Sequence, residues 1–185
     1  MNKELKAINQ KWGFTTIELL VSITVVFIIM GLTFASYASL NQRQKVVSAG
    51  QTMKNTIRDA QSRAFTNEID CNVCNCDVTT SQSLKGWYVD FARREIYGEC
   101  ASSGAGPIIT FSPRPLDVSS EIVITPHVTP VTTPRVMFRS SPPSSDKAAT
   151  ICLSQSNLSN SFYVVRITSA GYISDDGGIV STCTP

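Results

Sequence analysis

Between Phe14 and Tyr37 the chain reads FTTIELLVSITVVFIIMGLTFASY, and no other stretch narrows the possible folds as much. From Leu19 to Ala35 only Ser22, Thr24, Gly31 and Thr33 interrupt the apolar run, and none of them is charged. At about 1.5 Å per residue, a helix over residues 14–37 extends roughly 36 Å, enough to cross the hydrocarbon core of a bilayer. Lys3, Lys6 and Lys11 precede the run, and the fewer cations Arg43 and Lys45 follow it. That bias puts the N-terminus in the cytoplasm and exports everything beyond Tyr37. The first 13 residues also carry the whole net charge of +2, so the exported part is neutral and resembles no polyanion binder.

Three readings of this segment compete. A secretory signal peptide has small residues at its cleavage site, and Ser36-Tyr37-Ala38 offers them. Its apolar region is normally shorter, however, and Glu18 stands at the start of this one. A plain membrane anchor explains the apolar run but not the carboxylate. A carboxylate in a spanning helix costs about 2.5–3.5 kcal/mol on insertion scales, so it usually has a task. The third reading takes Gly13-Phe14-Thr15-Thr16-Ile17-Glu18 as a processing signal: a short basic leader ends in Gly, an aromatic follows, and a lone acid sits just inside the apolar helix.

That string, with Leu19, Leu20 and Val21 behind it, resembles type IV prepilins and the pseudopilins of type II secretion systems. The resemblance covers residues 8–40. It implies that residues 1–13 are a cleaved leader, removed between Gly13 and Phe14 by a membrane aspartyl prepilin peptidase that also N-methylates Phe14. It further implies that Glu18 directs assembly by pairing with the Phe14 amine of a neighbouring subunit. The implied partners are other pilin or pseudopilin subunits, met through the N-terminal helix, and an inner-membrane assembly platform. The implied location is the inner membrane, then a periplasmic or cell-surface filament.

No proline occurs between Phe14 and Cys71. Val46, Gly50, Met53, Ile57, Ala60 and Ala64 recur at three- and four-residue steps, with polar residues on the other faces. The pattern predicts one helix from about Phe14 to about Phe65, with a membrane and assembly half over 14–37 and an amphipathic continuation over 38–65. From Lys85 the period changes. Short alternating runs begin near Trp87, Arg94, Ile108, Glu121, Arg135, Ala149, Phe162 and Tyr172, with turn-formers between them. The expected fold is α+β: a long helix packed on a mostly antiparallel β-rich head over residues 66–185. All nine prolines lie at Pro107 or later, and the internal ones read as strand ends and loops.

Within pilin-like proteins the strand order looks like the H-type minor pseudopilin branch. The Gly86-Trp87 strand, the run Val136–Pro142 and the closing turn Thr168-Ser169-Ala170-Gly171 carry that likeness. Some of its members bind DNA through a Gly-Arg-x-Arg stretch at the closing turn. Here Gly171-Tyr172-Ile173-Ser174 lacks both arginines and Asp175-Asp176 follows, so DNA is not an expected ligand. A major pilin and a DNA-uptake minor pilin are the rival assignments.

Cys71, Cys74 and Cys76 cluster, whereas Cys100, Cys152 and Cys183 are dispersed. Export into an oxidising compartment makes disulfides the default. Bridges running outward from the cluster would tie the loop after the helix to the sheet, and one from Cys183 would pin the C-terminus. The Cys71-x-x-Cys74 spacing suits zinc, but no second such pair and no nearby His completes a site, so no metal and no cofactor is expected. His127 reads as a loop residue between Pro126 and Pro130. Asp175-Asp176-Gly177-Gly178 reads as a hairpin turn, with calcium as the alternative. No phosphate loop and no catalytic constellation is legible.

Overall fold

The computed structural model describes residues 13–76, 82–102, 107–130, 133–140 and 143–184, with only the backbone described at 32–36, 82 and 102. The expected leader up to Trp12, and Ser141 and Pro142, therefore lie outside the described residues. The chain divides into two compact units, Met1–Leu40 and Asn41–Pro185.

Helix α1 (Thr16–Phe65) enters both units, and a four-residue helix α2 (Cys71–Cys74) follows it. The end of α1 has a physical cause. Asn67 takes a left-handed conformation at φ 54°, and the Glu68 and Asn67 amides donate to the carbonyls of Arg63 and Ala64. This pairing closes the helix with otherwise orphaned carbonyls satisfied. Nine strands follow among the described residues: β1 (Gln82–Asp90), β2 (Glu95–Ser102), β3 (Ile108–Pro115), β4 (Ile122–Thr129), β5 (Arg135–Ser140), β6 (Pro143–Ser145), β7 (Ala148–Gln155), β8 (Phe162–Ile167) and β9 (Ile173–Val180). They form a five-stranded sheet in the order β3-β2-β1-β5-β6 and a four-stranded sheet in the order β4-β7-β8-β9. Every strand pairing is antiparallel.

The second unit has one main core. Val46, Gly50, Met53, Ile57, Ala60 and Ala64, the stripe read from the sequence, are all buried. They join Trp87, Val89, Ile96, Phe111, Val136 and Phe138 of the first sheet and Ile151, Leu153, Tyr163 and Val165 of the second. Trp87 is fixed from three sides. Its ring meets Phe111 edge-on at 5.4 Å, the Arg63 guanidinium lies 5.3 Å over its face, and its Nε1 donates to the Glu68 carbonyl at 3.0 Å. Gly98 sits between Trp87 and Phe111 in register, and a side chain there would strike the Phe111 ring. The opposite face of the first sheet carries a separate buried cluster of Tyr88, Tyr97 and Met137. The two tyrosines stack, and Arg135 lies over Tyr88. Burial, with the neighbouring Glu99 carboxylate, pushes the Tyr88 phenol above its ordinary pKa.

Several sequence expectations need correction. Pro113 and Pro126 stand inside strands, whereas Pro115 ends β3 as expected. They are tolerated because β3 and β4 are edge strands, where a missing amide need not break a ladder. His127 is likewise a strand residue, on the outward face of β4, and not a loop residue. The hairpin between β8 and β9 turns at Ser169-Ala170, closed by the Gly171 amide donating to the Thr168 carbonyl at 2.8 Å. Asp175-Asp176-Gly177-Gly178 therefore lies within β9, where the pairing with β8 shifts register and Gly177 supplies φ +72°.

Candidate functional site

The first unit contains the residues singled out for processing and assembly. Gly13, Phe14 and Thr15 lead into α1 as irregular chain. Thr15 then caps the helix: its Oγ1 accepts from the Glu18 amide at 3.3 Å, and its carbonyl accepts from the Leu19 amide at 3.1 Å. Thr followed by Glu three residues on is the sequence form of a capping box. That signal is present in the sequence and gives Thr15 a local role that the resemblance passes over. Glu18 lies in the first turn, where the exposed amides of a helix N-terminus favour an anion. Among the described residues its carboxylate has no ion-pair partner.

Beyond Glu18 this chain leaves its own apolar surface uncovered. Phe14 is 79% exposed and Phe27 73%, and Ile17, Leu19, Leu20, Ile28, Ile29 and Met30 are all exposed, against 0% for Val46 and Met53. Singly exposed apolar residues are unremarkable, but a contiguous surface of this kind marks a contact with lipid or with another protein. Among the described residues no helix is long and apolar enough to cross a membrane.

The six cysteines form three disulfides, Cys71–Cys76, Cys74–Cys100 and Cys152–Cys183. The expectation of outward bridges from the cluster is only partly met, because Cys71 and Cys76 close on each other. The cause is local: Asp70 caps α2 by accepting from the Asn72 amide at 3.0 Å, and Asn75 ends it in a left-handed conformation. The chain then turns back within six residues, which brings the Cα atoms of Cys71 and Cys76 to 5.0 Å. Cys74 points the other way, into the core, and meets Cys100 of β2. With both partners bonded, the Cys71-x-x-Cys74 spacing has no thiolate to offer a metal.

The two acids once considered for calcium are engaged by protein groups. Tyr163 Oη donates to Asp175, Lys54 Nζ lies 2.9 Å from the same carboxylate, and Arg166 pairs with Asp176. The Tyr163 hydrogen bond and then Lys54 hold the Asp175 carboxyl below its ordinary pKa. Burial, followed by the bond to Asp175, pushes the Tyr163 phenol up to about 12. These bonds fasten α1 to β8 and β9. A groove of about 480 Å³ beside α1 is lined by Lys45, Ser48, Asp117 and Glu121, and Lys45 already pairs with Glu121 at 3.1 Å.

No family model matches the sequence, and no curated protein matches it significantly. Among solved structures the chain is similar to the type IV minor pilin FimU of Pseudomonas aeruginosa. The two are 13% identical, the match covers 78% of this chain and 99% of that one, and the TM-score is 0.43. A likeness at that level carries no argument about function.

Proposed function

We propose that the protein is a non-enzymatic filament subunit, a minor pilin or pseudopilin processed by prepilin peptidase. The observation that carries this reading is the pairing of two features on one helix. Its N-terminal part presents uncovered apolar residues led by Gly13-Phe14 and Glu18, and its C-terminal part is built into a β-rich, disulfide-bonded domain. The apolar surface of residues 14–37 is held first by the inner membrane and then by neighbouring subunits. Glu18 stands at the helix end closest to the amine that cleavage at Gly13 would create. A carboxylate and an amine in a dry bundle fix axial register, since a shifted neighbour leaves a buried charge unpaired. The H-type minor branch is the finer assignment within this reading.

Glu18→Gln tests it. The substitution keeps shape and removes charge, so membrane insertion is retained. The ratio of subunit in sheared filaments to subunit in membranes should fall several-fold. An unchanged ratio would remove Glu18 from the assembly mechanism, and absence of the wild-type chain from every filament fraction would reject the subunit reading.

A further inference from the structure

The chain's one histidine lies beside one of its three disulfides. In the β4–β7 pairing Thr125 stands opposite Cys152, and His127 stands opposite Thr150 two residues along. Cys152 and His127 therefore share the outward face of the four-stranded sheet. Cys183 returns to that face from the segment after β9. A ring nitrogen of His127 and the two sulfurs all lie within 4.8 Å of one another. The charged groups nearby on this face are Arg166 of β8, opposite Thr150, and Asp176 of β9, and these two are paired with each other.

The two sulfurs are not equivalent. Cys152 is buried at 2% exposure, whereas Cys183 is partly exposed. Thiol–disulfide exchange needs a thiolate to approach one sulfur and expel the other, so access selects Cys183 for attack and Cys152 as the leaving group. A thiolate released at a buried position is disfavoured unless a cation stands beside it. His127 is the group within reach, and its imidazole can donate a proton to the departing sulfur. Neither of the other disulfides combines these features. Cys74 and Cys100 are both fully buried, and Cys71 and Cys76 are both exposed, with no buried thiolate to compensate.

We propose that Cys183 is a thiol-modification site, with Cys152 as leaving group and His127 as the residue that stabilises it. An external low-molecular-mass thiolate attacks Cys183 Sγ, a mixed disulfide forms, and the Cys152–Cys183 bond breaks with its electron pair passing to Cys152 Sγ. The entering sulfur is oxidised to the disulfide level, Cys152 is reduced to the thiolate, and the imidazolium of His127 supplies the counter-charge or the proton. The segment after β9 is then released from β7. The entering thiolate keeps the modification on the tail, where it is accessible.

The test treats the full chain, in detergent under non-denaturing conditions, with reduced glutathione, followed by acid quench and peptide mapping by mass spectrometry. The expected first product carries glutathione on Cys183 and a free thiol at Cys152, with Cys74–Cys100 intact as an internal sign that the fold is preserved. With a Brønsted sensitivity near 0.4–0.5, a tenfold gain in thiolate stability speeds exchange about threefold. His127→Gln should therefore slow the reaction about threefold. His127→Lys, which keeps a cationic donor at this position, should retain the acceleration. A first adduct on Cys152, a His127→Gln chain with unchanged rate, or a His127→Lys chain as slow as His127→Gln would overturn the proposal.

Discussion

Gly50 of α1 and Tyr163 of β8 occupy one space, and the clash between them can be turned into a change of sign. A Cβ added at Gly50 would meet the Tyr163 ring at 2.0 Å, with three ring atoms within 2.5 Å. The ring has little freedom to retreat. Tyr163 is 1% exposed, and its hydroxyl is bonded to Asp175, which Lys54 also holds at 2.9 Å. For Gly50→Ala the helix-propensity gain is about 1 kcal/mol. Against it stand overpacking, about 1–3 kcal/mol, and loss of a hydrogen bond to a charged group, about 1.5–3 kcal/mol. The net is a loss of about 1.5–5 kcal/mol. Once Tyr163→Ala removes the ring, only the propensity term survives, so Gly50→Ala in that background should stabilise by about 0.5–1 kcal/mol. Urea unfolding of the four chains, followed by Trp87 fluorescence and by far-ultraviolet circular dichroism, gives the cycle. Equal destabilisation by Gly50→Ala in both backgrounds would refute the claim that the Tyr163 ring is what requires glycine.

Acid and base titrations test the same latch. Asp175 has a depressed pKa, so its contribution is complete above the ordinary carboxylate value and is lost as pH falls through the lower folded value. Asp175→Asn should therefore flatten the acid limb of the stability curve. Tyr163 is raised to about 12, so stability is kept below the ordinary phenol value near 10 and declines as pH rises from there toward 12. Tyr163→Phe should shrink that alkaline decline, leaving the part that the raised Tyr88 phenol contributes, as read from urea midpoints at stepped pH. Reduction by graded dithiothreitol under native conditions should open Cys71–Cys76 and Cys152–Cys183 before Cys74–Cys100, whose residues are both fully buried. Thiol labelling with mass mapping gives the order, and early loss of Cys74–Cys100 would contradict it.

The helix and the amphipathic stripe were legible because period and propensity agree over many turns. Val46, Met53, Ile57, Ala60 and Ala64 are spaced for one face, no proline interrupts them, and all are buried. The strands were legible as apolar runs, but their ends were not. Pro113 and Pro126 argue locally for termination, and only the assembled sheet reveals which strands are edges and can carry them. Asp175-Asp176-Gly177-Gly178 has turn composition, yet Tyr163, Lys54 and Arg166 hold its acids in a bulged strand. Those partners lie at sequence distances no local rule spans. The cysteine pairing was equally hidden, because it depends on how α2 ends at Asn75. The Thr15 cap lies within Gly13–Glu18, where the resemblance of the string draws attention away from the Thr-x-x-Glu spacing.

The central claim is that the apolar arm of this chain is a processed assembly helix. Intact-mass analysis of the protein extracted from the membrane fraction tests it most directly. The account predicts a chain lacking residues 1–13 and carrying one added methyl group on the amine of Phe14, with Gly13→Leu leaving the full-length precursor in the membrane. A mature chain beginning at Ser39, or an unprocessed wild-type chain in cells that cleave other prepilins, would contradict it.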